Sequence, residues 1–328
     1  MEDVETSWKV AIVAFSVTCE VFKQCANFAT RYYADDGKYP VPQTALVLGV
    51  ELIKLVSVSA ILLKRGTFPG KTRSKVRYSL RFLVPGMCYA INNNLYLYAL
   101  TMIAPPIWVI LMSMRTIITT LSYKFIFGRG TTGLQLCGAA LMVLSILLAK
   151  AGDLDSGSQT VPLTAILIAA FASINSVAAS IFTEIQLKGK ESSVDETTFL
   201  EKQFWLYFYG SLVALAGHLG NDAGYLPHNF IQDIADAKES VQMAVIGGML
   251  STSLLGMAVA NVLRRLDNVV KEYSASVANI ATAIVFSFLF PEVFQITLYL
   301  VLSLATLCTG ITLYERGRPQ KTIRRLRN

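Results

Sequence analysis

The sequence is poor in charge. Only 16% of its 328 residues are Asp, Glu, Lys or Arg, against about 25% in soluble domains. It holds two histidines and five cysteines. All five cysteines fall inside apolar runs, none at metal-ligand spacing and none in a loop, so neither a zinc site nor a disulfide framework is indicated. There is no Asn-x-Ser/Thr acceptor and no glycine-rich phosphate loop ending in Lys. A membrane-embedded transferase would need paired carboxylates, a His or a metal site in one cavity. None is visible, so an enzyme is not expected, nor a metal or cofactor. The basic residues sit in short loops rather than on a folded domain, which argues against nucleic-acid binding.

Hydrophobic residues make up 53% of the chain, and the mean hydropathy is +0.49. A bilayer core of ~30 Å needs about 20 apolar residues per helix. Ten segments meet this pattern, at about 8–29, 42–63, 81–103, 106–127, 132–151, 161–182, 202–220, 241–263, 268–290 and 293–314. They predict an all-α polytopic membrane protein with almost no room for a soluble domain. The N-terminus, MEDVETSWK, lacks a basic stretch and a small-residue cleavage site, so the first segment is expected to stay as an anchor.

Assigning the loops alternately to two sides separates the basic residues. One side receives Lys64, Arg65, Lys71 and most of the other Lys and Arg residues, with six more in the tail; the other holds Arg31, Lys38, Lys150 and Lys238. The positive-inside rule makes the first side cytosolic, with both termini. The stretch from Asn221 to Glu239 is then a loop facing the opposite compartment, and His218 and His228, in or beside it, are expected to be solvated. Ten helices divide as five plus five, the geometry of inverted repeats with a midplane site. The repeats are expected at about 8–151 and 161–315, followed by a basic tail at 316–328. Homo-oligomerisation is left open.

Several polar groups interrupt the apolar segments. Arg115 lies inside the run Ile107 to Phe127, where a fixed cation costs about 2.5–3.5 kcal/mol on insertion scales. It must be paired or face a polar cavity. Its planar fork suits phosphate oxygens; the competing role is a structural pair with a buried carboxylate such as Glu51. Glu51 and Lys54 are i,i+3 neighbours on one helical face, as are Glu20 and Lys23. Either pair can be structural, and Glu51/Lys54 can instead line a cavity. Lys271 follows Asp267-Asn268 at a helix start, where free N–H groups suit an anion, although it also lies among charges at the cytosolic edge. Asn92, Asn93 and Asn94 differ by 100° steps around their helix, so at most two face one cavity. Their amides can read a base edge or bond between helices. Tyr89 and Tyr207 can flank a base or simply pack. Trp108 and Tyr209 are read as packing.

These residues carry a resemblance. The second segment reads TALVLGVELIK (Thr44, Ala45, Glu51, Lys54). The third and fourth read YAINNNLYLYAL and then TMIAPPIWVILMSMR (Tyr89, Asn93, Asn94, Arg115). Later come FTEIQLK, the set Gln203, Tyr207 and Gly210, and RRLDNVVKEYSAS (Arg264, Asp267, Asn268, Lys271, Tyr273, Ser276). In order and spacing the chain is similar to nucleotide-sugar transporters of the CMP-sialic acid/UDP-galactose/UDP-N-acetylglucosamine branch of the drug/metabolite transporter superfamily, from about residue 10 to 315. It departs from that pattern where Arg115 stands for Lys, Gln203 for Asn, Asn92 for Gln and Glu272 for Gly.

The resemblance implies ten transmembrane helices as two inverted five-helix repeats. It also implies exchange of a cytosolic nucleotide sugar for a luminal nucleoside monophosphate across a Golgi or endoplasmic reticulum bilayer, the Golgi being favoured. A UDP-sugar is the favoured cargo; CMP-sialic acid, or an interaction protein without transport, is the alternative. The substrate-binding residues so implied are Arg115, Lys271, Asn93, Asn94, Tyr89, Tyr207, Gln203, Lys54 and Glu51.

Overall fold

The computed structural model describes residues 2–34, 37–67, 79–115, 117–118, 122, 132–156, 161–187, 196–265 and 268–317. Among them lie eleven α-helices: α1 (Glu2–Tyr32), α2 (Gln43–Lys64), α3 (Leu83–Ala99), α4 (Pro105–Met112), α5 (Gly133–Ser156), α6 (Leu163–Leu187), α7 (Glu196–Asp222), α8 (Pro227–Asp236), α9 (Glu239–Arg265), α10 (Asn268–Leu289) and α11 (Leu298–Arg316). A 3-10 turn, Leu80–Phe82, leads into α3. Lys188 and Asp267, the side chains of Glu184, Arg264, Lys271, Tyr273 and Ser276, the basic stretch 68–78 and the tail from 318 onward lie outside the described residues.

Ten of these helices overlap the ten apolar segments, and two expectations need correction. The stretch from Asn221 to Glu239 is not a plain loop: it contains α8, opened by Pro227 at its first turn and by the Asn229 side chain, which accepts the Leu226 backbone N–H at 3.0 Å. Its apolar residues Phe230, Ile231 and Ile234 recur at helical spacing, a period too short-lived to stand out between two turns. The seventh helix begins at Glu196 rather than near 202, so Lys202 is a buried helical residue and not a loop cation. Hydropathy placed the start too late because Glu196, Glu201 and Lys202 precede the apolar run.

Among the described residues three helical stretches are long and apolar enough to cross a membrane, Gln43–Lys64, Leu163–Thr183 and Glu239–Val262; Gly133–Ser145, Val277–Leu289 and Leu298–Tyr314 are shorter apolar stretches. Large apolar side chains face outward along the helices, among them Leu136, Met243, Phe288 and Leu298, while Glu51, Lys54, Gln203 and Ser253 are buried. Apolar outside and polar inside is the pattern of a protein whose solvent is lipid. The exit of α2 shows how local sequence sets an end. Gly66 has a φ of 65°. Its N–H bonds to Leu63 O at 3.0 Å and that of Thr67 to Leu62 O at 3.1 Å, the paired bonds of a glycine-terminated helix.

The chain forms two compact units, and the division falls inside α6 and α10. The first unit is Met1–Thr101 with Ala178–Ala278, and the second is Met102–Val177 with Asn279–Asn328. In the first, α1 packs on α9, and α2 packs on both α7 and α9, with α3 also against α7. Val58, Leu62 and Phe82 meet Leu200, Phe204, Leu206, Tyr207 and Tyr209 in its core. The α2–α7 pair is antiparallel: Thr44 lies beside His218, Glu51 beside Gly210 and Lys54 beside Tyr207.

In the second unit α5 lies against α11. A Cβ on Gly138 would stand 2.5 Å from Gly310 O, and one on Gly310 would stand 2.9 Å from Gly138 O. The two backbones therefore touch, as small residues permit in membranes. Met142, Leu307, Ile311 and Tyr314 pack around this crossing, and Ser303 Oγ donates to Ser145 O at 2.8 Å. Gly138→Ala is expected to destabilise the protein by about 1–3 kcal/mol through overpacking, seen as a lowered melting temperature in detergent. An unchanged transition would contradict the contact.

Candidate functional site

The first unit holds a charged cluster built on α2. Glu51 and Lys54 stand one turn apart on the face that meets α7, because an i,i+3 spacing places both side chains together. Lys54 Nζ donates to Glu51 Oε1 at 2.5 Å, and the residues are 2% and 6% exposed. Two charges so far from water persist only when paired. From α3, Asn93 Nδ2 donates to the same Glu51 oxygen at 3.2 Å.

From α7, the Tyr207 ring lies under the ammonium, with Lys54 Nζ 5.1 Å from its centroid. The Tyr207 hydroxyl donates to Gly256 O at 3.4 Å, and Gln203 Nε2 reaches that hydroxyl at 3.5 Å. Two glycines make the room: a Cβ on Gly210 would stand 2.8 Å from Glu51 Oε2, and one on Gly256 3.1 Å from Lys54 Cδ. Tyr89 packs at the edge of the neighbouring apolar core, its hydroxyl 3.3 Å from that of Thr183.

The structure thus brings together Glu51, Lys54, Asn93, Gln203 and Tyr207, with Tyr89 beside the same core. Asn94 is turned aside, its amide donating to Ala90 O of its own helix at 2.9 Å. Arg115 belongs to the second unit, three residues past the end of α4. It is half-buried, with its Nε nitrogen enclosed. Two residues before it, the Ser113 hydroxyl is buried and makes no hydrogen bond. Lys271 lies in the first turn of α10. Trp108 is buried, as is Tyr209, whose hydroxyl is 2.9 Å from that of Ser79. Among the described residues no group of three or more His, Cys, Asp or Glu is placed to hold a metal.

Two polar networks reach beyond what the sequence showed. Glu20 and Lys23 do pair, at 2.8 Å. They also join Gln24, whose amide donates to Glu20 at 2.7 Å and accepts from the Tyr96 hydroxyl at 2.8 Å. The second network overturns the reading of His218 as solvated. His218 is 7% exposed, with Nδ1 2.9 Å from Thr44 Oγ1 and Nε2 3.0 Å from Tyr225 O. It lies within α7, on the face that meets α2; the contact spans 174 positions of sequence, and no local pattern signals it. His228 is exposed on α8.

The described residues form a helical membrane protein with a paired charge and an amide held between apolar helices. The chain belongs to the nucleotide-sugar transporter family, whose model matches residues 8–315. It is 25% identical over 323 residues to CMP-sialic acid transporter 2 of Oryza sativa subsp. japonica, covering 96% of this chain and 86% of that protein. With CMP-sialic acid transporter 1 of Arabidopsis thaliana it shares 23% identity over 309 residues, 91% of this chain and 88% of that one. A protein of known crystal structure superposes with a TM-score of 0.61 at 15% identity, over 98% of this chain and 99% of the other. That likeness speaks for the fold alone. The protein is therefore a transporter and not an enzyme, and its family implies a nucleotide sugar as cargo.

The buried pair generates a stability test. Lys54→Met strands a carboxylate and is expected to cost about 3–5 kcal/mol, whereas the double variant Glu51→Gln/Lys54→Met recovers most of that loss. Thermal denaturation of the purified variants measures both. A double variant no more stable than Lys54→Met would show that the two side chains do not act as a pair.

Proposed function

We propose that this protein exchanges a cytosolic nucleotide sugar for a luminal nucleoside monophosphate by alternating access, in the Golgi membrane and with both termini cytosolic. The observation that carries the reading is the Glu51–Lys54–Asn93–Tyr207 cluster in a member of this family. It sets a cation, an amide and an aromatic ring side by side in the middle of apolar helices. In the proposed cycle Lys54 exchanges its internal partner for cargo oxygens, Asn93 meets the edge of a pyrimidine, and the Tyr207 and Tyr89 rings flank the base or ribose. Gln203 supports Tyr207, and Asn94 follows Asn93 on α3.

Arg115 grips phosphate as a planar fork. Lys271 meets it as a point charge at the start of α10, where the helix N-terminus adds partial positive charge. Exchange rather than one-way release fits this chemistry, because cations left empty in a low-dielectric site are costly.

Ten transmembrane helices in two inverted repeats, 8–151 and 161–315, suit the helix pairing. In that scheme each helix corresponds to the one five segments later. The second and seventh segments (α2 and α7) pack together antiparallel, and the fifth and tenth (α5 and α11) pack together. The contacts of the third segment with the seventh and of the second with the eighth exchange under the same correspondence. These relations support a two-fold axis in the membrane plane; the α1–α9 contact has no counterpart of similar extent between α6 and α3 among the described residues.

A UDP-sugar is the cargo favoured by the breadth of the branch; the names of the rice and Arabidopsis relatives favour a second reading, CMP-sialic acid. The test uses proteoliposomes preloaded with UMP or CMP and offered labelled UDP-sugars or CMP-sialic acid. Uptake dependent on one preloaded nucleotide identifies the base. Uptake of none of them would reject transport. Arg115→Ala is expected to abolish exchange and Arg115→Lys to retain more of it. Equal rates for the wild type and Arg115→Ala would remove Arg115 from the site.

A further inference from the structure

Thr44, in the first turn of α2, and His218 and Asp222, in the last turns of α7, meet at one end of that helix pair. Thr44 Oγ1 lies 2.9 Å from His218 Nδ1 and 2.5 Å from Asp222 Oδ2, and His218 Nε2 lies 3.0 Å from Tyr225 O. These three bonds can be counted in hydrogens. The Tyr225 carbonyl can only accept, so Nε2 must carry a proton. The Thr44 hydroxyl has one hydrogen to serve two neighbours. Given to Asp222, it leaves Nδ1 needing a proton of its own; given to Nδ1, it leaves Asp222 needing one. Either way the cluster holds one proton more than a neutral imidazole beside a carboxylate.

An imidazole ordinarily holds that proton about 2–3 pH units more firmly than a carboxyl group does. His218 and Asp222 both lie between the C-terminal end of α7 and the first turn of α2, so the two helix ends oppose one another at each. The first turn of α2 has no acidic residue and the last turn of α7 no basic one. From α8, Asp233 approaches through Tyr225, accepting its hydroxyl at 2.6 Å. Burial, and then this bond to the Asp233 carboxylate, hold the Tyr225 hydroxyl well above the usual phenol range, so it stays a donor.

We infer that Thr44, His218 and Asp222 form a proton-binding site that latches the start of α2 to the end of α7 and to the turn leading into α8. With the proton bound, imidazolium and carboxylate are joined through the Thr44 hydroxyl and all three bonds are made. When it leaves, Nδ1 and Thr44 no longer have a hydrogen between them and the latch opens. Because the closed form holds the extra proton, closure is favoured as pH falls and is lost as pH rises. In the orientation proposed above this end faces the lumen, and the proton is then drawn from the luminal side.

The test reads protonation and does not depend on the transport reading. Full-length protein carrying His228→Gln, so that His218 is the only histidine, is labelled with 15N-histidine in nanodiscs and followed by NMR from about pH 5.5 to 8.5, the range a histidine can sense. At the acid end both ring nitrogens are expected to carry protons; at the alkaline end one is bare. Thr44→Val and, separately, Asp222→Asn, each checked for retained helicity, are expected to reduce the fraction of doubly protonated ring at the acid end. A ring that stays neutral to the acid end, or a doubly protonated fraction that neither variant reduces, would overturn the proposal.

Discussion

The ion pair of Glu51 and Lys54 sits at the α2–α7 contact around which the first unit is organised. Two charges buried to 2% and 6% exposure cannot be left to lipid, and neither can shift far without losing the other. Their one-turn spacing on α2 lets them form the pair locally. The surrounding helices then adapt to it. Gly210 leaves space for the carboxylate and Gly256 for the lysine stem, while Asn93 and Tyr207 supply a hydrogen bond and a ring face. A side chain at either glycine would collide with the pair, so α7 and α9 are matched to α2 by what they lack.

Along the α2–α7 seam the chemistry changes with depth. One end is the hydrogen-bonded cluster of Thr44, His218 and Asp222; the middle is the ion pair; the other end, Val58 and Leu62 against Leu200 and Phe204, is apolar. The contacts of Val58 and Leu62 with Leu200 and Phe204 are non-directional. The polar end has bonds that are made or absent. In the carrier proposed above, such a seam closes firmly at its polar end. The α5–α11 contact in the second unit rests on two glycine backbones in direct touch, with Ser303 Oγ donating to Ser145 O across it.

Much of the site was legible in the sequence because its signal is local. A cation inside an apolar run, carboxylate and lysine one turn apart, and three successive amides in one helix are each visible within a few residues, since lipid makes every such group costly. Helix positions followed from hydropathy for the same reason. The start of α7 was misplaced because its charged first turns resemble a loop, and α8 was missed because a ten-residue amphipathic helix has too few turns to establish a period.

The tertiary structure decided which polar groups meet. Asn93 and Asn94 are adjacent and chemically identical, yet one reaches Glu51 and the other bonds its own helix; the 100° step between them acquires meaning only once α2 is packed against α3. His218 looked like a solvated residue near a loop and is instead buried against Thr44, because the antiparallel packing of α2 on α7 brings the start of one to the end of the other. The sequence by itself determined that this chain lives in a membrane and which of its groups are costly there, since transfer out of water depends on composition alone. Their pairing across 174 residues depends on helix register, which is set by the packing of whole faces and is written in no single segment.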